Sequence, residues 1–109
     1  MRTKVMIFSM LALLVSVSAL EAQQPADSAA LYARSCAACH GPKGTPRAGM
    51  SRSMKDFADT VAMASVTDSA MRQVISDGKL PAMPAYKARF TPEQINGLVG
   101  YIRTLRPHP

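Results

Sequence analysis

Cys36-Ala37-Ala38-Cys39-His40 holds both cysteines of this 109-residue chain and one of its two histidines. A Cys-x-x-Cys-His run reads as a c-type haem attachment site. Two thiols at this spacing add across the two haem vinyl groups, and the histidine that follows is placed to ligate the iron. Other sites also use Cys-x-x-Cys. A redox dithiol belongs beside a βαβ pattern, of which the chain has no sign. A tetrahedral zinc site needs four ligands, and the only remaining histidine is His108, set between Pro107 and Pro109. Haem is the favoured reading of the three.

Composition supports a large apolar insert. The chain has no Trp, and beyond residue 23 its aromatics are Phe57, Phe90, Tyr32, Tyr86 and Tyr101. A domain this small needs a staple such as a metal or a cofactor. Upstream, Arg2 and Lys4 precede the uncharged stretch Val5–Leu20, followed by small residues up to Ala22. That layout predicts a secretory signal peptide over 1–22, cleaved after Ala22, with Ala19 as the competing position. An uncleaved anchor is the alternative, although a span needs about 20 apolar residues. Export to the periplasm follows, and residues 23–109 are expected to form one domain. That segment carries 11 Lys and Arg against 6 Asp and Glu, a net charge of +5. The cations are scattered rather than clustered with aromatics, which argues against a nucleic-acid module. They suit attraction to an acidic partner.

Around the motif the pattern is helical. Asp27 or Ser28 can cap a helix reaching about Ala37. Gly41–Ser53 holds too many Gly and Pro for regular structure. Met54, Phe57, Ala58 and Val61 recur at i, i+3, i+4, i+7 and predict a short helix. Thr67 or Asp68 starts another, with Met71, Val74 and Ile75 on one face and Gly78 as its stop. Leu80–Tyr86 contains Pro81 and Pro84 and is not helical. Thr91, Pro92 and Gln94 compose a capping box ahead of an apolar stripe at Ile95, Leu98, Val99, Ile102 and Leu105. Gly97 and Gly100 inside that stripe each cost about 1 kcal/mol relative to Ala. The first helix, rich in small residues, is expected to cross there. No convincing strand appears, so the fold class is all-α.

These segments, in this order, resemble the small monohaem class I cytochromes c of the bacterial periplasmic type. Tyr32 with Cys36-Ala37-Ala38-Cys39-His40-Gly41-Pro42-Lys43-Gly44 is similar to the family's N-terminal block. Leu80-Pro81-Ala82-Met83-Pro84-Ala85-Tyr86 is similar to its methionine loop, and Thr91 through Leu105 to its last helix. The likeness runs from about Ala29 to Leu105, with 48–65 unspecific. It implies three to five helices around one covalently bound haem c, attached through Cys36 and Cys39, with electron transfer as the function.

His40 is then one axial ligand. For the other, Met83 is favoured because Pro81 and Pro84 stiffen its loop, whereas Met54 and Met71 have helical core spacing; Met50 and Met54 remain rivals. The resemblance implies that the Pro42 carbonyl supports the second ring nitrogen of His40. Tyr86 and Arg89 are candidates for haem propionates, or else solvated surface groups. An iron bound by histidine and thioether has no open position and a raised potential, which favours outer-sphere electron transfer over enzymatic oxygen chemistry. The expected protein is a monomeric, non-enzymatic shuttle between redox proteins, with no stable membrane span after cleavage. A haem subunit of a dehydrogenase or oxidase, or a weak peroxidase with Met83 displaced, is the alternative.

Overall fold

A computed structural model describes residues 27–50 and 52–106. The expected leader over 1–22, its cleavage site after Ala22, and His108 lie outside them. The described residues contain five helical segments and no strand: α1 over 27–35, α2 over Ala37–His40, α3 over Thr60–Ala64, α4 over Asp68–Asp77 and α5 over Pro92–Thr104. Lys79 and Met83 form an isolated antiparallel bridge. No helix among the described residues is long and apolar enough to cross a membrane.

The first predicted helix is divided. Cys36 N–H still donates to Tyr32 O at 2.8 Å, but the Cys36 backbone opens to φ −120° before α2 resumes at Ala37. The predicted helix over Met54–Val61 is not formed. Asp56 and Asp59 decide this by offering side-chain oxygens to nearby backbone N–H groups, which competes with helix. Asp56 accepts from Ala58 N–H at 2.9 Å, and Asp59 from Val61 and Ala62 N–H at 2.9 and 3.0 Å. Helix α3 therefore starts only at Thr60, with Val61 84% exposed and Met63 buried. Helices α4 and α5 start at the expected caps, Thr67 and Thr91, and the Thr91–Gln94 capping box closes in both directions.

Leu31 and Tyr32 of α1, Met71 and Ile75 of α4, and Ile95, Leu98, Val99 and Ile102 of α5 share one apolar core. The α1–α5 crossing falls at Gly97, where a Cβ would run into Ser28 Oγ. Tyr32 and Tyr101 meet beside it, ring centroids 5.2 Å apart. Gly100 differs from the expectation. A Cβ there would meet nothing within 4 Å, because this position faces outward. Arg103 ties the α3–α4 connection onto α5, donating to Asp68 at 2.9 Å and to the carbonyls of Met63 and Val66.

Candidate haem site

Both cysteines lie on one turn of chain and neither is disulfide-bonded; Cys36 is half-buried and Cys39 exposed. The turn is braced from behind. Tyr32 Oη donates to Gly41 O at 2.8 Å, Arg47 Nε to Ala37 O at 3.1 Å and Arg47 N–H to Cys39 O at 3.2 Å. The first two add a second donor to carbonyls that already accept from the Gly44 and Gly41 N–H groups, and the third supplies a donor to Cys39 O in the last turn of α2. Gly41 makes the reversal possible: its φ is +78°, and a Cβ would strike the Thr45 carbonyl.

Burial pushes the Cys36 thiol up to about 11, which keeps it protonated at neutral pH. A catalytic dithiol needs the opposite shift, toward thiolate. A zinc cage is disfavoured too, since among the described residues no group of three or more His, Cys, Asp or Glu is placed to hold a metal ion. Burial also lowers the pKa of His40 from its ordinary 6.5, so its imidazole is neutral and can offer a lone pair. One face of that ring stacks on Phe57, centroids 4.7 Å apart with the planes inclined by 14°. The His40 Nδ1 is buried and makes no hydrogen bond, so the bond expected to the Pro42 carbonyl is not formed here.

The methionine loop is closed by its own backbone. Lys79 N–H donates to Met83 O at 2.9 Å and Met83 N–H to Lys79 O at 2.8 Å. Leu80, Pro81 and Ala82 project as an exposed tip with a cis Leu80–Pro81 peptide bond. Gly78, with φ +73°, lets the loop fold back on α4, for a Cβ there would lie 2.6 Å from Met83 O. Met83 itself is half-buried against the core. Of the rivals, Met50 is largely exposed and Met54 half-buried on the irregular segment; Met63 and Met71 are core residues.

Tyr86 is buried, and its hydroxyl donates to Ser35 O at 3.1 Å, fastening the methionine loop to the end of α1. Its ring stacks on Phe90 at 4.9 Å, with the exposed Arg89 guanidinium 5.8 Å above it. Two thiols outside any disulfide, a neutral imidazole and a thioether on a closed loop fit the donor set of haem c. Phe57 and Arg47 are the site residues that sequence reasoning missed. Phe57 looked like a helix core position and Arg47 like surface charge, and no local signal separates them from those roles.

Residues 23–102 match the family described as cytochrome C oxidase, cbb3-type, subunit III. The chain is 30% identical over 95 residues to the cbb3-type cytochrome c oxidase subunit FixP of Bradyrhizobium sp. (strain ORS 278), covering 83% of this chain and 31% of that protein. It is 33% identical over 70 residues to the cbb3-type cytochrome c oxidase subunit CcoP of Rubrivivax gelatinosus, covering 64% of this chain and 22% of that one. The chain thus spans less than a third of the length of these relatives. Among solved structures it resembles the KustC0563 c-type cytochrome, with a TM-score of 0.68 and 30% identity over 73% of this chain and 98% of that chain.

Proposed function

The chain belongs to the family of cytochrome c oxidase, cbb3-type, subunit III, and we propose that it is a periplasmic electron-transfer protein carrying one haem c. The observation that carries this reading is the Cys36-x-x-Cys39-His40 turn, folded with both thiols free and the imidazole neutral. Cys36 and Cys39 would hold the haem through thioether bonds, and His40 and Met83 would ligate its iron. Bound haem c supplies an iron that takes up and releases one electron. The protein's part is to keep that change small in structural cost: the Lys79–Met83 bridge closes the loop that carries the thioether, and the braced turn fixes His40. With both side chains on the iron no position would be left for a substrate, which supports reading the chain as an electron carrier rather than an enzyme by itself. Its partners are redox proteins, reached after export by the leader over 1–22.

A second reading is favoured by the family and by the relatives named as oxidase subunits: that the same electron transfer is performed inside an oxidase complex. The free shuttle stays soluble and monomeric after extraction without detergent. The subunit co-purifies with a terminal oxidase.

The haem assignment is tested on holoprotein made in a host with haem-attachment machinery. Acid–acetone extraction should leave the haem on the polypeptide, and haem in the solvent would sink the idea. Met83→Ala should abolish the weak long-wavelength band of thioether-bound ferric iron and lower the potential, because a thioether favours ferrous iron. Survival of that band in Met83→Ala, with its loss on changing Met50 or Met54, would assign the ligand elsewhere.

A further inference from the structure

We propose that the Tyr86 hydroxyl is a latch that holds the methionine loop against the end of α1 and so keeps Met83 on the iron. Tyr86 is thereby a positioning residue, and the inference rests on the reading of Met83 as the second axial ligand.

The backbone bonds of the loop lead back to α4. Lys79 follows Gly78, the C-terminal cap of α4, and pairs with Met83 at 2.9 and 2.8 Å. On the outgoing side Tyr86 N–H donates to Ile75 O at 3.0 Å and Lys87 N–H to Ser76 O at 3.2 Å, both carbonyls of α4. These bonds shape the loop and tie it to one wall of the site. The cysteines and His40 stand on the other wall, in the turn that continues α1. The Tyr86 hydroxyl joins the two walls by donating to Ser35 O at 3.1 Å. Ser35 is the last residue of α1, where carbonyls run out of donors within the helix, and it directly precedes Cys36. The bond therefore starts close to Met83 in the chain and lands beside the attachment turn.

Tyr86 is rigid enough to act this way. Its carbonyl accepts from the Arg89 and Phe90 N–H groups at 2.8 and 2.9 Å, and its buried ring stacks on Phe90 with the planes 7° apart. Pro84 stiffens the link back to Met83. Ligands on opposite sides of one iron need their walls held at a fixed separation. A loop anchored to α4 alone is free to swing away with its thioether. A phenol has one proton to donate, and Ser35 O takes it. On this reading that proton is not available to a propionate, and the exposed Arg89 is the remaining candidate for that role.

The test compares ferric wild-type and Tyr86→Phe holoproteins in a titration with imidazole, followed by loss of the long-wavelength thioether band. Imidazole takes the place of the thioether when the loop opens. Tyr86→Phe keeps the ring and its stack and loses the hydroxyl alone. It should retain covalent haem and bind imidazole about fivefold more tightly, the effect of one hydrogen bond of ordinary net strength on an opening equilibrium. An affinity equal to that of the wild type overturns the inference, since a bond that only adds overall stability leaves the opening of the loop unchanged. Where Tyr86→Phe does not fold, NMR spectra of the reduced wild type decide. The Tyr86 hydroxyl proton should be protected from exchange and lie against the Ser35–Cys36 backbone. A proton in rapid exchange with solvent, or one directed at a haem propionate, overturns the latch. A wild-type spectrum without the thioether band overturns the reading of Met83 instead, before any variant is made.

Discussion

Tyr32 joins three parts of the molecule through one side chain. It is 1% exposed, sits on α1, leans on Tyr101 of α5 and donates its hydroxyl to Gly41 at the turn that follows His40. Tyr32→Phe keeps the ring contact but leaves the Gly41 carbonyl with the Gly44 N–H as its remaining donor, which costs about 0.5–1.5 kcal/mol. Burial also raises the tyrosine's pKa above its ordinary value of 10.0. In the unfolded chain the phenol ionises near pH 10, while in the fold it stays protonated. Its contribution is thus complete below about pH 10 and is lost as pH rises further, because only the unfolded state then releases the proton. Denaturant unfolding of the haem-bound protein at pH 7 and at about pH 11 checks both points. Tyr32→Phe should be less stable at neutral pH, and its loss between the two pH values should be the shallower. Cys36 does not blur this result, since a sulfur bonded to haem carbon no longer titrates.

Among the elements, α5 was readable to the residue because its signals are local and agree: the cap, the capping box, Pro92 at the start and a stripe of period 3.6. The Cys36–His40 turn could be singled out for the same reason, being contiguous in sequence. Helix α3 was misread because the apolar spacing from Met54 to Val61 matched a helix, while Asp56 and Asp59 supplied competing side-chain caps. The Phe57–His40 stack and the Arg103 clasp were not legible, because each depends on residues far apart in sequence meeting in space. The two glycines of α5 looked alike in sequence and separate in structure. Gly100 is exposed with open space around it, so Gly100→Ala should stabilise by roughly 0.5–1 kcal/mol through helix propensity. At Gly97 the same gain is offset by displacement of the buried Ser28 hydroxyl. Gly97→Ala should stabilise only when combined with Ser28→Ala, and a double-mutant cycle followed by thermal unfolding measures that coupling. Additive effects of the two substitutions would mean that α1 and α5 do not meet at this point.

At the scale of the whole molecule, electrostatics bears on the encounter with a partner. Residues 23–109 carry a net charge of +5, so any acidic partner is attracted from a distance. Three cations, Lys79, Lys87 and Arg89, flank the methionine loop, and the structure distinguishes among them. Lys87 is paired with Asp77 at 3.3 Å, Arg89 lies above the Tyr86 ring, and Lys79 is exposed at the base of the apolar tip formed by Leu80, Pro81 and Ala82. Arg103, by contrast, is bound to Asp68 and carries structure rather than free charge. Electron transfer to an acidic acceptor should slow as salt rises, since the Debye length shortens from about 30 Å at 0.01 M to about 10 Å at 0.1 M. Lys79→Glu should flatten that dependence more than Arg106→Glu, which makes the same change of charge at the exposed end of α5. Stopped-flow rates over a salt series decide between two descriptions. A larger effect at Lys79 means that the loop beside Met83 is the docking face, whereas equal effects mean that net charge alone sets the rate of encounter.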